Sequence, residues 1–63
     1  MEGLRRMRIA AGVSVKELAS YLGVSIMSIY RYEVGARTPD VELAAKMASY
    51  LHCSIDDLLQ KAG

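Results

Sequence analysis

Two apolar-periodic segments separated by only three residues, Gly23-Val24-Ser25, place the tightest constraint on this chain. A spacer that short suits two helices meeting at a steep angle and little else. The same punctuation recurs along the sequence: Gly12 to Ser14, Gly23 to Ser25, Gly35 to Asp40 and His52 to Ser54 divide it into five short segments. Glycine takes the left-handed conformation that closes one helix, and the following Ser or Asp oxygen accepts from the free amides that open the next.

Each segment carries a helical stripe. From Glu2 to Ala11 the apolar positions Leu4, Met7 and Ala11 recur at three and four residues, with Arg5 and Arg6 on the flanks. Ser14 followed by Glu17 predicts a capping box in which each side chain bonds the other's backbone N–H, opening a helix from Val15 to about Leu22. Leu18, Ala19 and Leu22 form its inner stripe. Ser25 caps a third helix, Ile26 to Val34, with Ile29 and Tyr32 inward and Val24 packing under the turn. Asp40 caps a fourth, Val41 to about Leu51, striped by Leu43, Ala44, Met47, Ala48 and Leu51. His52 stands where a left-handed cap is expected, and Ser54 with Asp57 opens a fifth helix whose apolar face is Ile55, Leu58 and Leu59. There is no Asn-Gly hairpin and no sustained apolar–polar alternation. The expected fold is therefore all-α, a compact five-helix bundle forming one domain over residues 1–63, with a helix-turn-helix at about 15–34.

Sixty-three residues hold one core at most, and the 52% apolar content argues against a disordered segment. No apolar run approaches the roughly 20 residues that cross a bilayer, and the first residues lack a signal peptide's apolar stretch. A single cysteine, Cys53, closes no internal disulfide, so the cytoplasm is the expected compartment and neither export nor membrane association is indicated. The net charge of +1 conceals an asymmetry. Residues 1–38 carry six basic groups against three acidic, a net +3, whereas the rest of the chain is at −2. Such polarity suits one basic face turned to an anion, nucleic acid included.

Five fragments, in order and at consistent intervals, resemble the Cro and phage-repressor type of helix-turn-helix, the XRE or lambda-repressor-like family. They are Arg8 to Ser14, Glu17-Leu18-Ala19, Gly23-Val24-Ser25, Ile29 to Gly35, and Leu51 to Leu59. The resemblance covers nearly the whole chain and implies a small transcriptional regulator, most readily a repressor, that binds double-stranded DNA. In it the third helix enters the major groove and reads base edges from Ile26, Met27, Ser28, Tyr30 and Arg31. Arg31 suits a bidentate contact to guanine, and Ile26 and Met27 suit thymine methyl groups. Helix starts at Ser14 and Ser25 present amides to phosphates, joined by Lys16 and by Arg37 in the following loop. Arg5 and Arg6 read as solvated flank residues. Arg8 and Glu33 are expected to form a partly buried ion pair joining the first helix to the end of the third. Family members commonly pair through the fourth and fifth helices, which implies a homodimer with Tyr50, Ile55, Leu58 and Leu59 as interface candidates and recognition helices about 34 Å apart.

This chain departs from the family at Val15, Ile26 and Met27, where polar residues that contact DNA are frequent. These apolar side chains support an alternative reading, a protein-interaction module of antitoxin-like or anti-regulator type using the same helix face. Catalysis is not expected: one His and one Cys, adjacent, are too few for a zinc site, and consecutive Asp56 and Asp57 diverge by about 100° on a helix. Cys53 reads as an inert, buried thiol. No cofactor fingerprint is present, so no metal or cofactor is expected.

Overall fold

The computed structural model describes residues 1–60, which form α1 (Leu4–Ala10), α2 (Val15–Leu22), α3 (Ile26–Glu33), α4 (Val41–Tyr50) and α5 (Ile55–Leu59). No strand occurs among the described residues. Each helix contributes one side chain with no exposed surface: Leu4, Leu18, Ile29, Met47 and Leu58. Five large apolar groups from five elements meet in one core, each worth about 1.5–3 kcal/mol on removal from water. Ala19, Tyr32, Ala44, Ala48, Leu51, Val13 and Met1 complete it. Around this centre α2 packs on α3, α1 on α5 and α3, and α4 on α2 and α5.

The starts of four helices are capped by short polar side chains. The side chains of Ser14, Ser25, Asp40 and Ser54 accept from the amides of Glu17, Ser28, Leu43 and Asp57 at 2.8–3.1 Å. Four helix ends share a second device, a left-handed residue whose amide and that of its successor bond back to the last turn. At the end of α1, Gly12 N donates to Ile9 O and Val13 N to Arg8 O, both at 3.0 Å. Gly23, Gly35 and His52 repeat the pattern at the ends of α2, α3 and α4. His52, at φ 55°, is the only non-glycine residue with positive φ among the described residues.

Several expectations are corrected. The first helix is shorter than Glu2 to Ala11, because the backbone before it is drawn onto α5: Gly3 N donates to Leu58 O at 2.9 Å. Ala11 is exposed and contributes nothing to the core; the left-handed turn at Gly12 carries Val13 inward instead. Val34 and Leu51 cap α3 and α4 rather than belonging to them. The capping box is complete at Ser54 and Asp57 but only half made at Ser14. There Glu17 turns its carboxylate away and accepts from the Tyr50 hydroxyl at 2.5 Å. Tyr50 is held in place by stacking on Tyr21, with ring centroids 4.2 Å apart. Leu58, an interface candidate, is wholly enclosed in its own protomer and has no surface to offer a partner. Cys53 is only half-buried, although that burial raises its thiol above the ordinary value.

Candidate nucleic-acid interface

The orientation of α3 follows from its sequence. Ile29 and Tyr32, three apart, point into the core, so the positions between them turn outward. Ile26, Met27, Tyr30 and Arg31 are exposed. Ser28 is half-buried, and its hydroxyl lies 3.0 Å from that of Ser25, so its hydrogen-bonding capacity is shared with the cap. The turn from α2 is fixed by Gly23 at φ 71° and by Val24 N donating to Ala19 O at 3.1 Å. Val24 itself packs against the core, which holds α3 at a set angle to α2.

Behind this outward face lies a depression of about 630 Å³ bounded by α1, α2 and α3. Lys16 and Ser14 stand on one wall, Ile26 and Tyr30 on another, and Arg5 on a third. Arg5, expected to be a solvated flank residue, lines this depression together with Ser14 and Lys16, a proximity that arises only when α1 packs on α3. Arg6 does not line this depression. Met27 and Arg31 are exposed on α3 but do not line this depression. Arg37 comes after α3, and its amide donates to Arg31 O at 3.2 Å, which ties the loop that carries it to the last turn of α3.

Arg8 lies at the back of the same depression but is already engaged. Its Nε donates to Glu33 Oε2 at 2.8 Å and its Nη1 to Val13 O at 2.9 Å. Arg5, Lys16, Arg31 and Arg37 are exposed and form no ion pair among the described residues. The outcome is a surface with four available cations around a half-apolar helix face. Of the acids on α2 and α3, Glu33 is paired with Arg8 and Glu17 accepts a hydrogen bond from Tyr50.

Two crossed helices joined by a three-residue turn, the second one outward-facing and flanked by cations, define the helix-turn-helix class. Residues 4–58 match the family described as "Helix-turn-helix", and the chain belongs to that family. It is 32% identical over 59 residues to the "SPbeta prophage-derived uncharacterized HTH-type transcriptional regulator YonR" of Bacillus subtilis, a match covering 94% of this chain and 55% of that protein. Two archaeal proteins are also similar. The "Putative HTH-type transcriptional regulatory protein MJ1164" of Methanocaldococcus jannaschii is 42% identical over 48 residues, and a protein of Aeropyrum pernix with the same description is 44% identical over 50. These matches cover 76% and 79% of this chain, but 15% of each relative. The chain thus spans about half the length of the bacterial relative and a small part of the archaeal ones. None of its helices is long and apolar enough to cross a membrane among the described residues.

Proposed function

We propose that this chain binds double-stranded DNA in a sequence-specific manner as a transcriptional regulator, a repressor that occupies its operator as a homodimer in the cytoplasm. The observation that carries the reading is the outward face of α3 set among uncompensated cations. In the complex α3 lies in the major groove, with Arg31 on a guanine edge, Ile26 and Met27 on thymine methyl groups, and Tyr30 and Ser28 completing the contacts. Lys16, Arg37 and Arg5, with the amides beside Ser14 and Ser25, hold the phosphates on either side.

The relatives' descriptions as transcriptional regulators support this reading. Dimerisation uses the apolar strip where Val41 and Leu59 are exposed beside half-buried Ile55. Tyr50, engaged with Tyr21 and Glu17 of its own chain, has a smaller part in it. One observation favours the alternative of a protein-docking module: Val34, at 77% exposure, extends the apolar part of the α3 face beyond Ile26 and Met27.

The test is a titration of the protein against pooled random duplexes over a salt series, with sedimentation of the free protein in parallel. Binding that weakens steeply with salt, by a species twice the chain mass, is the expected result. Absence of any shifted duplex at low salt, together with a stoichiometric complex with a protein partner blocked by Met27→Lys, would establish the alternative.

A further inference from the structure

Ser14 and Ser54 begin helices with the same arrangement, a serine cap and an acid three residues on, yet the two acids behave differently. Asp57 folds back and accepts from Ser54 N at 3.0 Å. Glu17, whose longer side chain is the one most suited to that return bond, instead accepts from the Tyr50 hydroxyl across the α2–α4 interface. No bond from the Ser14 amide to Glu17 is formed among the described residues. Ser14, Lys16, Glu17, Tyr21 and Tyr50 line one shallow depression, so the diverted carboxylate and the two polar groups at the helix start share a surface. The hydrogen bond raises the Tyr50 phenol above its ordinary value, and the hydroxyl stays a donor through the neutral range.

The consequence is electrostatic. A carboxylate folded back over the start of α2 would occupy the Ser14 amide, place a negative charge beside Lys16 and repel a phosphate from both. We propose that Tyr50 is a positioning residue for DNA binding: by donating its hydroxyl to Glu17 it holds that carboxylate on the α4 side of α2 and leaves the Ser14 amide and Lys16 open to a backbone phosphate. This rests on the duplex reading given above, and it assigns Tyr50 a role within the protomer that outweighs its smaller part in dimerisation.

Tyr50→Phe removes the hydroxyl and keeps the ring that stacks on Tyr21. In a pH titration followed by amide NMR, the Ser14 resonance of the variant should track the ionisation of Glu17, while that of the parent should not. Affinity for a random duplex at about 50 mM salt should fall about threefold, the scale of an exposed charge interaction, and the difference should shrink as salt rises. In a Glu17→Gln background the same Tyr50→Phe change should have no effect on affinity. A Ser14 amide insensitive to pH in the variant, unchanged affinity, or an equal loss in the Glu17→Gln background each overturns the inference. Failure of the parent itself to bind duplex is a separate result, which removes the duplex reading and the inference together.

Discussion

Arg8 and Glu33, 25 positions apart in sequence, meet at 2.8 Å, with side chains only 12% and 7% exposed. The pair fastens α1 to the last turn of α3, and the second bond of the guanidinium, to Val13 O, extends the clamp to the entry of α2. Every buried polar side-chain atom among the described residues has a partner, so the pair is fully compensated as it stands. Glu33→Ala leaves a cation enclosed with one carbonyl for company. Its cost should be about 2–4 kcal/mol, somewhat below that of a wholly buried pair because solvent reaches the edge. Urea unfolding should show the midpoint falling at unchanged slope. Replacement of both residues by Met should recover much of the loss, since neither charge then remains unpaired.

Gly3 is under a different constraint. A Cβ at this position would lie 2.0 Å from the Asp57 carbonyl oxygen and 3.0 Å from that of Leu58. Its φ of −84° is ordinary, so the need is for space and not for unusual backbone. Gly3→Ala must therefore separate α1 from α5 and weaken the Gly3–Leu58 hydrogen bond. A loss of about 1–3 kcal/mol is expected, as for overpacking. Thermal unfolding by circular dichroism would read it, and an unchanged melting temperature would contradict the close approach.

That glycine marks where the sequence stopped being informative. Helix starts and stops were legible because they rest on local chemistry: Ser25 needs only Ser28 N, and Gly23 only the backbone of its own last turn. The inward positions of α3 were legible for the same reason, since Ile29 and Tyr32 follow helical spacing. Gly3, Val13 and the Tyr50–Glu17 bond depend on elements distant in sequence, and no local rule distinguishes a glycine needed for a neighbour's carbonyl from one in an unremarkable turn. The shared lining of Arg5 and Lys16 was hidden likewise, because it depends on the packing of α1 against α3. The outward face of α3 was readable as a face; its bases were not, because apolar Ile26 and Met27 carry little hydrogen-bond information.

The capping box of α5 makes stability depend on pH in a predictable direction. The backbone and side-chain hydrogen bonds at Ser54 hold the Asp57 carboxyl below its usual value, so the folded state binds a proton less readily than the unfolded chain. The stabilisation is complete above the unfolded value of about 4 and is lost as pH falls through the lower folded value. Asp57→Asn should therefore melt below the parent at pH 6, with the gap closing as pH is lowered toward 2. A gap that is constant with pH would place the effect in packing, not ionisation.

His52 carries the left-handed cap of α4 at φ 55°, the place that Gly12, Gly23 and Gly35 hold at the ends of α1, α2 and α3. A side chain there costs about 1–2 kcal/mol, and glycine gives back part of that gain by loosening the unfolded chain. His52 is exposed, so little packing is lost with it. His52→Gly should stabilise the domain by about 0.5–1 kcal/mol, readable as a rise in melting temperature, whereas His52→Val should lower it.

The division between base and phosphate contacts can be separated with two variants whose side chains are both exposed and remote from the core. Arg31 projects from the outward face of α3, where a guanidinium can meet the two acceptors of a guanine edge. Arg31→Ala should cost about 1–3 kcal/mol on the preferred duplex and far less on unrelated ones, so sequence preference is relaxed. Lys16 stands at the first turn of α2 and meets only the charge of the backbone in this scheme. Lys16→Ala should weaken every duplex by a similar factor and reduce the slope of log affinity against log salt by about 1. Fluorescence anisotropy on one preferred and one scrambled duplex at several salt concentrations measures both quantities. If Arg31→Ala also lowers all duplexes uniformly and flattens the slope, Arg31 lies on the phosphates and the reading face of α3 begins nearer its N-terminus, at Ile26 and Met27.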